Sequence, residues 1–230
     1  LEVYERLGRD GDVADAWNNL GVVYSDLNLY EKSLEYHAKA QLVYEKLRLP
    51  RDQANSLFNH GVAYVNLGLY DKAIDHYERA ARVYEELGLP KDVADCLRAA
   101  GWAYDQLEQP QEAVERYEKA QAVYGELDLP REQAVCAASL GALLAHVGEA
   151  EAALEQYRLA GGVFEELGLS EELAATRTNM GRAHRMLKQH DESIRELEAA
   201  GRLFRQIARA ATSEGRRWTP EPMFQVEASL

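Results

Sequence analysis

The chain has 230 residues, 39 of them acidic and 26 basic, and it carries a formal net charge of −13 at pH 7. Because proteins that bind phosphate backbones need a basic surface, this charge argues against nucleic acid as a general partner. The sequence contains no run of about 18 apolar residues and no signal-like N-terminus. We therefore expect a cytoplasmic protein that does not bind a membrane.

Residues 1–10 are interpreted as the end of a helix that belongs to a preceding repeat. They begin with LEVYERLG, which matches the segment VYEELGL that ends at Leu89. The sequence also lacks an initiating Met. We therefore expect this chain to be a piece of a longer protein with at least one more helix upstream.

Residues 11–211 repeat with a period of forty. Two series of small residues show this period: Gly21, Gly61, Gly101, Gly141 and Gly181, and Ala40, Ala80, Ala120, Ala160 and Ala200. A fixed period of this size is typical of a stacked repeat protein. We predict five repeats, at about 12–50, 51–90, 91–130, 131–170 and 171–211.

The stretch 55–90 shows the pattern of one repeat. It contains two segments with apolar and small residues at helical spacing, separated by the turn at 68–70. A turn this short predicts an antiparallel helix pair. Gly61 has no side chain, so we expect it to let the two helices approach closely while Tyr77 fills the space beside it. Pro90 ends the pair and suits an early position of the next helix.

Small and aromatic residues mark fixed positions of each helix pair. In repeat one they are Trp17, Leu20, Gly21, Tyr24, Ser33 and Ala40. This series resembles the tetratricopeptide repeat, in a form about six residues longer than the common one. The longer form, with Asn-Leu-Gly as at residues 19–21, is similar to the repeats of kinesin light chain, the LGN spindle adaptor, bacterial regulators and CHAT-protease-linked arrays. The resemblance implies an all-α fold, a right-handed superhelical α-solenoid of antiparallel helix pairs.

The resemblance also implies a concave groove that binds a peptide or a helix, lined by the first helix of each repeat. The groove positions of this family predict these contact residues: Asp15, Asn18, Asn19, Asn55, Phe58, Asn59, Val62, Asp95, Arg98, Trp102, Asp105, Ser139, Asn179, Arg182 and Arg185. The Asn side chains can bond to a peptide backbone or, alternatively, to neighbouring helices. Phe58 and Trp102 are expected to be exposed there unless a ligand covers them.

The groove positions differ in chemistry along the chain. Repeats one to three combine acidic residues with Asn, repeat four has small residues, and repeat five has Arg182 and Arg185. We therefore expect a ligand with a hydrogen-bonding or basic part near repeats one to three. A large apolar residue would lie over repeat four and an acidic part at repeat five.

No motif for catalysis, nucleotide binding or metal binding is present, and the six histidines are spread over different repeats. We predict no catalytic residue, no metal site and no cofactor, and we assign the histidines to packing or surface roles.

The two cysteines, Cys96 and Cys136, lie one period apart on neighbouring first helices. Packed helix axes are about 8–10 Å apart, which is too far for a disulfide. Free thiols are favoured, with a metal or redox pair as the alternative. Small residues at the equivalent positions, Ala16, Ser56 and Thr176, indicate a packing constraint.

Three functions are compatible with the sequence. We predict a non-catalytic scaffold for protein–protein interaction that binds a peptide or helix segment in the groove, as the sensor or adaptor part of a larger bacterial regulator. The alternative is a regulatory module of an enzyme, a protease or an NTPase, whose catalytic domain lies outside this chain. The third is a structural spacer.

Residues 212–230 depart from the repeat pattern and are predicted to form a short capping helix. Met223, Val226 and Leu230 lie at helical spacing. Because the last repeat has no successor, this segment can cover the apolar face of repeat five. Alternatively, it inserts into the groove of a neighbouring copy, so that the protein self-associates through residues 218–230.

Overall fold

The computed structural model describes residues 10–213, where all regular secondary structure is α-helical. The helices are α1 (Asp10–Asp26), α2 (Tyr30–Leu47), α3 (Pro50–Asn66), α4 (Tyr70–Glu86), α5 (Pro90–Gln106), α6 (Pro110–Glu126), α7 (Pro130–His146), α8 (Ala150–Glu166), α9 (Ser170–Met186) and α10 (His190–Ser213). The predicted all-α class of consecutive packed helices is therefore confirmed. None of these described helices is both long and apolar enough to cross a membrane. The interpretation of residues 1–9 and the capping helix predicted beyond residue 213 lie outside the described residues.

Helix starts recur every forty residues. First helices begin at Pro50, Pro90, Pro130 and Ser170, and second helices begin at Tyr30, Tyr70, Pro110, Ala150 and His190. Proline suits a first helical position because its φ angle is fixed and an N–H there would have no intrahelical partner. The turns close with a residue in the left-handed region, such as Gly68 at φ 70° or Asp128 at φ 53°. This turn lets the backbone N–H of Leu69 bond to the carbonyl of Tyr64 at 2.9 Å.

The chain divides into two compact units, residues 1–109 and 110–230, and the boundary falls between the two helices of repeat three. In the first unit, each helix from α1 to α5 packs against its neighbour in sequence. One core cluster joins α3, α4 and α5 through Ala54, Leu57, Ala80, Tyr84 and Cys96. Burying a large side chain of this kind stabilises the fold by about 1.5–3 kcal/mol.

In the second unit, helices α6 to α10 pack in the same sequential way. One cluster contains Ala134, Ala137, Ala160, Phe164 and Leu173, and a second contains Ala153, Leu154, Tyr157, Met180 and Ala183. The first cluster combines three successive helices, α7 to α9, and the second joins α8 and α9, with Leu144 of α7 packed against it. The hydrophobic contacts therefore hold a repeat to the one that follows it as well as holding its own two helices together.

The close helix contact predicted at Gly61 is confirmed. A Cβ atom on Gly61 would lie 2.7 Å from Cδ1 and 2.8 Å from Cζ of Tyr77, which is shorter than real carbon–carbon contacts. The same arrangement recurs in the second unit, where a Cβ on Gly141 would lie 2.8 Å from Cε1 of Tyr157. These glycines therefore set how closely the two helices of a pair approach.

Candidate functional site

The predicted groove residues all lie on α1, α3, α5, α7 and α9, which are the first helices of the repeats. First helices of successive repeats also contact each other: α1 contacts α3 in the first unit, and α7 contacts α9 in the second. The forty-residue period then places equivalent residues of these neighbouring helices side by side. Each unit thus has its own first-helix face.

Two polar residues of the first-helix face in the first unit bond to core tyrosines. The Tyr44 hydroxyl donates to Oδ1 of Asp15 at 2.8 Å, and the Tyr84 hydroxyl donates to Oδ1 of Asn55 at 2.6 Å. Both tyrosine rings are buried, and their hydroxyls need an acceptor there. Asp15 and Asn55 therefore hold the second helix of their own repeat.

The Asn residues of α1 and α3 fall into two groups. The side chain of Asn18 forms a hydrogen bond between its Oδ1 and Nδ1 of His37 at 2.9 Å. Asn18 therefore bonds to a neighbouring helix, which was the alternative to binding a peptide. Asn19 is exposed and Asn59 is half-buried, and neither amide has a hydrogen-bond partner among residues 10–213. Because an amide both donates and accepts, Asn19 and Asn59 can bond to a peptide backbone.

Phe58 and Trp102 are half-buried by the chain itself, which differs from the expectation that only a ligand would cover them. The Phe58 ring lies 5.2 Å from the Tyr77 ring, and Trp102 meets Tyr70 edge to face at 5.7 Å. Val62 packs against the same cluster as Phe58. Within the described residues, the indole Nε1 of Trp102 is buried and has no hydrogen-bond partner. These three predicted residues therefore take part in the packing of the first unit.

The charged groove residues of α5 are engaged within the protein. Nζ of Lys91 lies 2.9 Å from Oδ2 of Asp95, one turn apart on the helix. Arg98 and Asp105 are half-buried and also interact with other groups. The charges of α5 are therefore not free to bind a ligand without loss of an existing interaction.

On the second unit, α7 contributes an uncharged surface. No charged residue occurs between Gln133 and Ala145. Ala138 is buried, and Ser139 and Ala142 are half-buried. Small side chains at these positions leave room above α7 for a bulky apolar group.

The neighbouring helix α9 presents positive charge. Arg182 and Arg185 are exposed, and neither forms an ion pair within the described residues. Arg182 makes one long hydrogen bond, 3.5 Å, to Oδ1 of Asn179. By contrast, Arg177 of the same helix pairs with Glu196 at 3.0 Å. Arg182 and Arg185 are thus charges that the packing of α9 leaves unpaired.

A histidine cluster in the first unit brings together residues that the sequence separates widely. The ring of His60 lies 5.6 Å from that of His37 and 5.3 Å from that of His76, and Tyr64 lies 5.0 Å from His76. Burial, assisted by the neighbouring imidazole, lowers the pKa of His37 and of His60 to about 4. Burial also lowers the pKa of His76. At neutral pH the rings of His37 and His60 are therefore uncharged core groups.

A signal for this cluster was present in the sequence. His37 holds the position of Tyr77, and His60 holds the position of Leu140 and Met180, all of them core positions. Two histidines in core positions of adjacent helices predict a buried pair. Among the described residues, no group of three His, Cys, Asp or Glu side chains is arranged to hold a metal ion.

Cys96 and Cys136 are buried free thiols at the small position of their first helices. Sγ of Cys136 donates to the carbonyl of Tyr117 at 3.2 Å, as the Ser56 hydroxyl does to the carbonyl of His37 at 3.1 Å. This contact with the preceding helix requires a small side chain, which agrees with the packing constraint inferred from the sequence.

Both thiols are expected to resist alkylation. Burial raises the pKa of the Cys96 thiol, and alkylation needs an exposed thiolate. Iodoacetamide at pH 8 should therefore label the native chain at least roughly 100-fold more slowly than the urea-unfolded chain. Mass spectrometry of timed samples measures both rates, and similar rates in the two states would contradict the burial of these thiols.

Comparisons with known proteins identify what the chain is similar to. A family model described as tetratricopeptide repeat matches residues 12–86 and again 52–126, which together span half of the chain. No curated protein sequence matches the chain significantly.

Several solved structures share the fold. BtubC (BKLC) from P. vanneervenii is 20% identical with a TM-score of 0.79, over 95% of this chain and 87% of that one. The repeats of a putative kinesin light chain from Podospora anserina are 17% identical with a TM-score of 0.73, over 86% and 98%. MamA is 16% identical with a TM-score of 0.63, over 91% and 100%. At these identities the likeness establishes the fold alone.

Proposed function

Because this chain belongs to the tetratricopeptide repeat family, whose repeats generally mediate protein–protein interaction, we propose that it is a non-catalytic scaffold that binds a peptide or helix segment. The binding surface is the first-helix face of its repeats. One observation carries the proposal: this face bears polar groups that form no ion pair and at most one long hydrogen bond within residues 10–213. They are the amides of Asn19 and Asn59 in the first unit and the guanidinium groups of Arg182 and Arg185 in the second.

The second unit favours an acidic ligand with a bulky apolar residue. Arg182 and Arg185 lie one helical turn apart, with Cβ atoms about 5–6 Å from each other. In an extended peptide, two carboxylates separated by one residue lie about 7 Å apart on the same side. The apolar surface of α7 lies one helix spacing away, about 10 Å, which equals about three extended residues. Because only residues an even number apart face the same side of an extended chain, the ligand class is a segment with a bulky apolar residue two or four positions from an acid-x-acid pair.

In the first unit, Asn19 and Asn59 are separated by one period and lie on neighbouring helices. A ligand backbone that crosses α1 and α3 can meet both amides. Such contacts are independent of the ligand sequence, because every peptide unit offers an N–H and a carbonyl. The affinity that the first unit contributes would therefore depend little on the sequence of the ligand.

A selection experiment tests the acidic part of this proposal. Random 12-residue peptides displayed on phage are selected on the full chain, and the enriched peptides are synthesised and measured by isothermal titration calorimetry. The enriched peptides should carry two acidic residues. The double variant Arg182→Glu and Arg185→Glu should weaken their binding by about 2 kcal/mol or more, which is roughly 30-fold, because opposite charges are replaced by like ones.

The matched control changes two exposed arginines on second helices, Arg158→Glu and Arg195→Glu, so that the net charge changes equally. The affinity of the same peptides for this control should stay within about twofold, because neither residue lies on the first-helix face. Equal losses in the two double variants would indicate only a general charge effect. No loss in either would exclude α9 from the site.

The broader role proposed is that of a sensor or adaptor part of a larger bacterial regulator. It is supported by the resemblance of the forty-residue repeats to those of such regulators. We also propose that residues 11–211 form five repeats, which is supported by the forty-residue spacing of the helix starts.

A further inference from the structure

The first-helix face of the second unit bears positive charge and almost no negative charge. No acidic residue occurs along residues 133–148, which include most of α7, or along residues 173–189, which include most of α9. The acidic residues of α9, Glu171 and Glu172, lie in its first turn, about three turns before Arg182. Glu172 also contacts Arg131 of α7 at 3.6 Å. An anion bound at the end of α9 would therefore meet no like charge from these two stretches.

Two arginines at the end of α9 differ from the third arginine of that helix. Arg177 contacts Glu165 at 3.6 Å and Glu196 at 3.0 Å, both on second helices. Arg182 and Arg185 are exposed and form no ion pair within residues 10–213. Residues three apart lie on the same face of a helix, and like charges at such spacing destabilise it slightly. An anion that contacts both arginines would remove this repulsion.

An amide lies beside this arginine pair. Asn179 is half-buried, one turn before Arg182, and its Oδ1 accepts a hydrogen bond from Nη1 of Arg182 at 3.5 Å. Its Nδ2 has no hydrogen-bond partner in the described part of the chain. An amide nitrogen carries two N–H donors and a guanidinium group carries five. This end of the face is therefore rich in donors, and the amide oxygen of Asn179 is already bonded.

A phosphoryl group matches these donors better than a carboxylate does. A phosphorylated side chain carries a charge of about −1.5 to −2 near neutral pH and three strong acceptor oxygens. An ionised carboxylate carries a single charge and two oxygens. One phosphoryl group can therefore compensate two guanidinium groups, whose planar forks suit phosphate geometry. Two carboxylates can do the same only if two ligand side chains become ordered, which costs more conformational entropy.

Resting on the proposed peptide-binding function, we propose that the second unit binds a peptide segment that carries a phosphorylated serine or threonine, whose phosphoryl group bridges Arg182 and Arg185. Asn179 positions Arg182 and supplies a further donor. The bulky apolar residue of the ligand lies on α7, two or four positions from the phosphorylated residue, because these positions share one side of an extended chain. The acidic ligand is thereby narrowed to one with a single doubly charged group.

The charge of the whole protein favours a peptide as the source of this phosphoryl group. Nucleic acids and anionic membranes are held by many basic residues at once, whereas this chain has a net charge of −13. A polyanion would be repelled by the rest of the surface. The small uncharged side chains of α7, among them Ala142, leave room for an apolar side chain beside the arginines. A peptide can supply an apolar side chain and a phosphoryl group together.

Three pools of nine-residue peptides test the proposal on the full chain. One pool has phosphoserine fixed at its centre, one has serine there, and one has a central Glu-x-Glu; all other positions are random. Each pool is passed over the immobilised protein, and the retained peptides are sequenced. The phosphoserine pool should be retained most strongly. Its retained peptides should be enriched in large apolar residues two or four positions from the phosphoserine.

The best phosphopeptide is then compared by isothermal titration calorimetry with its unphosphorylated form and with a form that has Glu-x-Glu instead. The phosphopeptide should bind at least about tenfold more tightly than the Glu-x-Glu form, because one group pairs with both arginines. Arg182→Gln with Arg185→Gln should weaken phosphopeptide binding at least about 30-fold. Arg158→Gln with Arg195→Gln removes the same charge from exposed positions on second helices and should change it less than about threefold. Circular dichroism checks that both double variants are folded.

The other outcomes separate this proposal from the broader one. If the Glu-x-Glu form binds as tightly as the phosphopeptide and both depend on Arg182 and Arg185, the peptide-binding function stands and the phosphoryl proposal fails. Phosphopeptide binding that is insensitive to the arginine substitutions would also overturn it. So would inorganic phosphate that binds as tightly as the phosphopeptide, or vesicles with phosphatidic acid that bind where the peptide does not. If no pool is retained, both the phosphoryl proposal and the acidic part of the proposed function fail.

Discussion

Gly61→Ala is expected to destabilise the protein by about 2 kcal/mol, although alanine normally favours a helix over glycine by about 1 kcal/mol. The added Cβ would overlap the ring of Tyr77, at 2.7 Å from Cδ1 and 2.8 Å from Cζ. That ring is only 3% exposed and cannot move away without disturbing its own contacts. The two helices of the pair must therefore separate, which opens the core of the first unit.

The matched control is Gly162→Ala near the C-terminal end of α8. Gly162 is exposed, and a Cβ there would have no heavy atom within 4 Å outside its own helix backbone. This change should stabilise the protein by about 0.5–1 kcal/mol through helix propensity alone. Urea unfolding followed by circular dichroism measures both effects. If both substitutions changed the free energy of unfolding in the same direction, the view that Gly61 sets the distance between its helices would be refuted.

Lowering the pH from 7 to 5 is expected to destabilise the first unit by about 2 kcal/mol for each of His37 and His60. The pKa of each ring is about 4 in the folded chain, compared with about 6.5 when unfolded. As pH falls below 6.5, the unfolded chain therefore takes up protons that the folded chain does not. The loss of stability begins near pH 6.5 and is complete near pH 4.

The variant His37→Tyr with His60→Leu tests this cause, because later repeats carry Tyr77 and Leu140 at these positions. Urea unfolding at pH 7 and pH 5 should show a pH effect smaller by several kcal/mol in this variant. His190→Gln, an exposed position at the start of α10, should keep the full effect. If the double variant lost stability on acidification as strongly as the wild type, other groups would be responsible.

Much of the fold could be predicted from the sequence because a repeat protein is built from local patterns. The forty-residue period, the helical spacing of apolar residues and the short turns each depend on residues close in sequence. Gly61 and the proline at 90 were assigned their structural roles from this pattern, and both assignments are confirmed. The position of each groove residue on a first helix follows from the same period.

Other properties depend on contacts between helices, which one repeat read in isolation does not reveal. The assembly of His37, His60 and His76 joins three helices, and the cover over Phe58 and Trp102 comes from tyrosines of second helices. Contacts between helices also decide that the amide of Asn18 bonds to His37, whereas the amide of Asn59 has no hydrogen-bond partner in the described part of the chain.

The division between the two kinds of property has a physical reason. Helix formation and turn chemistry are decided within a few residues of the chain, so that composition and spacing predict them. Whether a side chain at a given position is buried, bonded or free is decided by the neighbour that packs on it. That neighbour differs between an inner repeat and the first or last one. The equivalent positions of Val23 and Ala63 have nearly the same sequence surroundings, yet their side chains are 50% and 0% exposed.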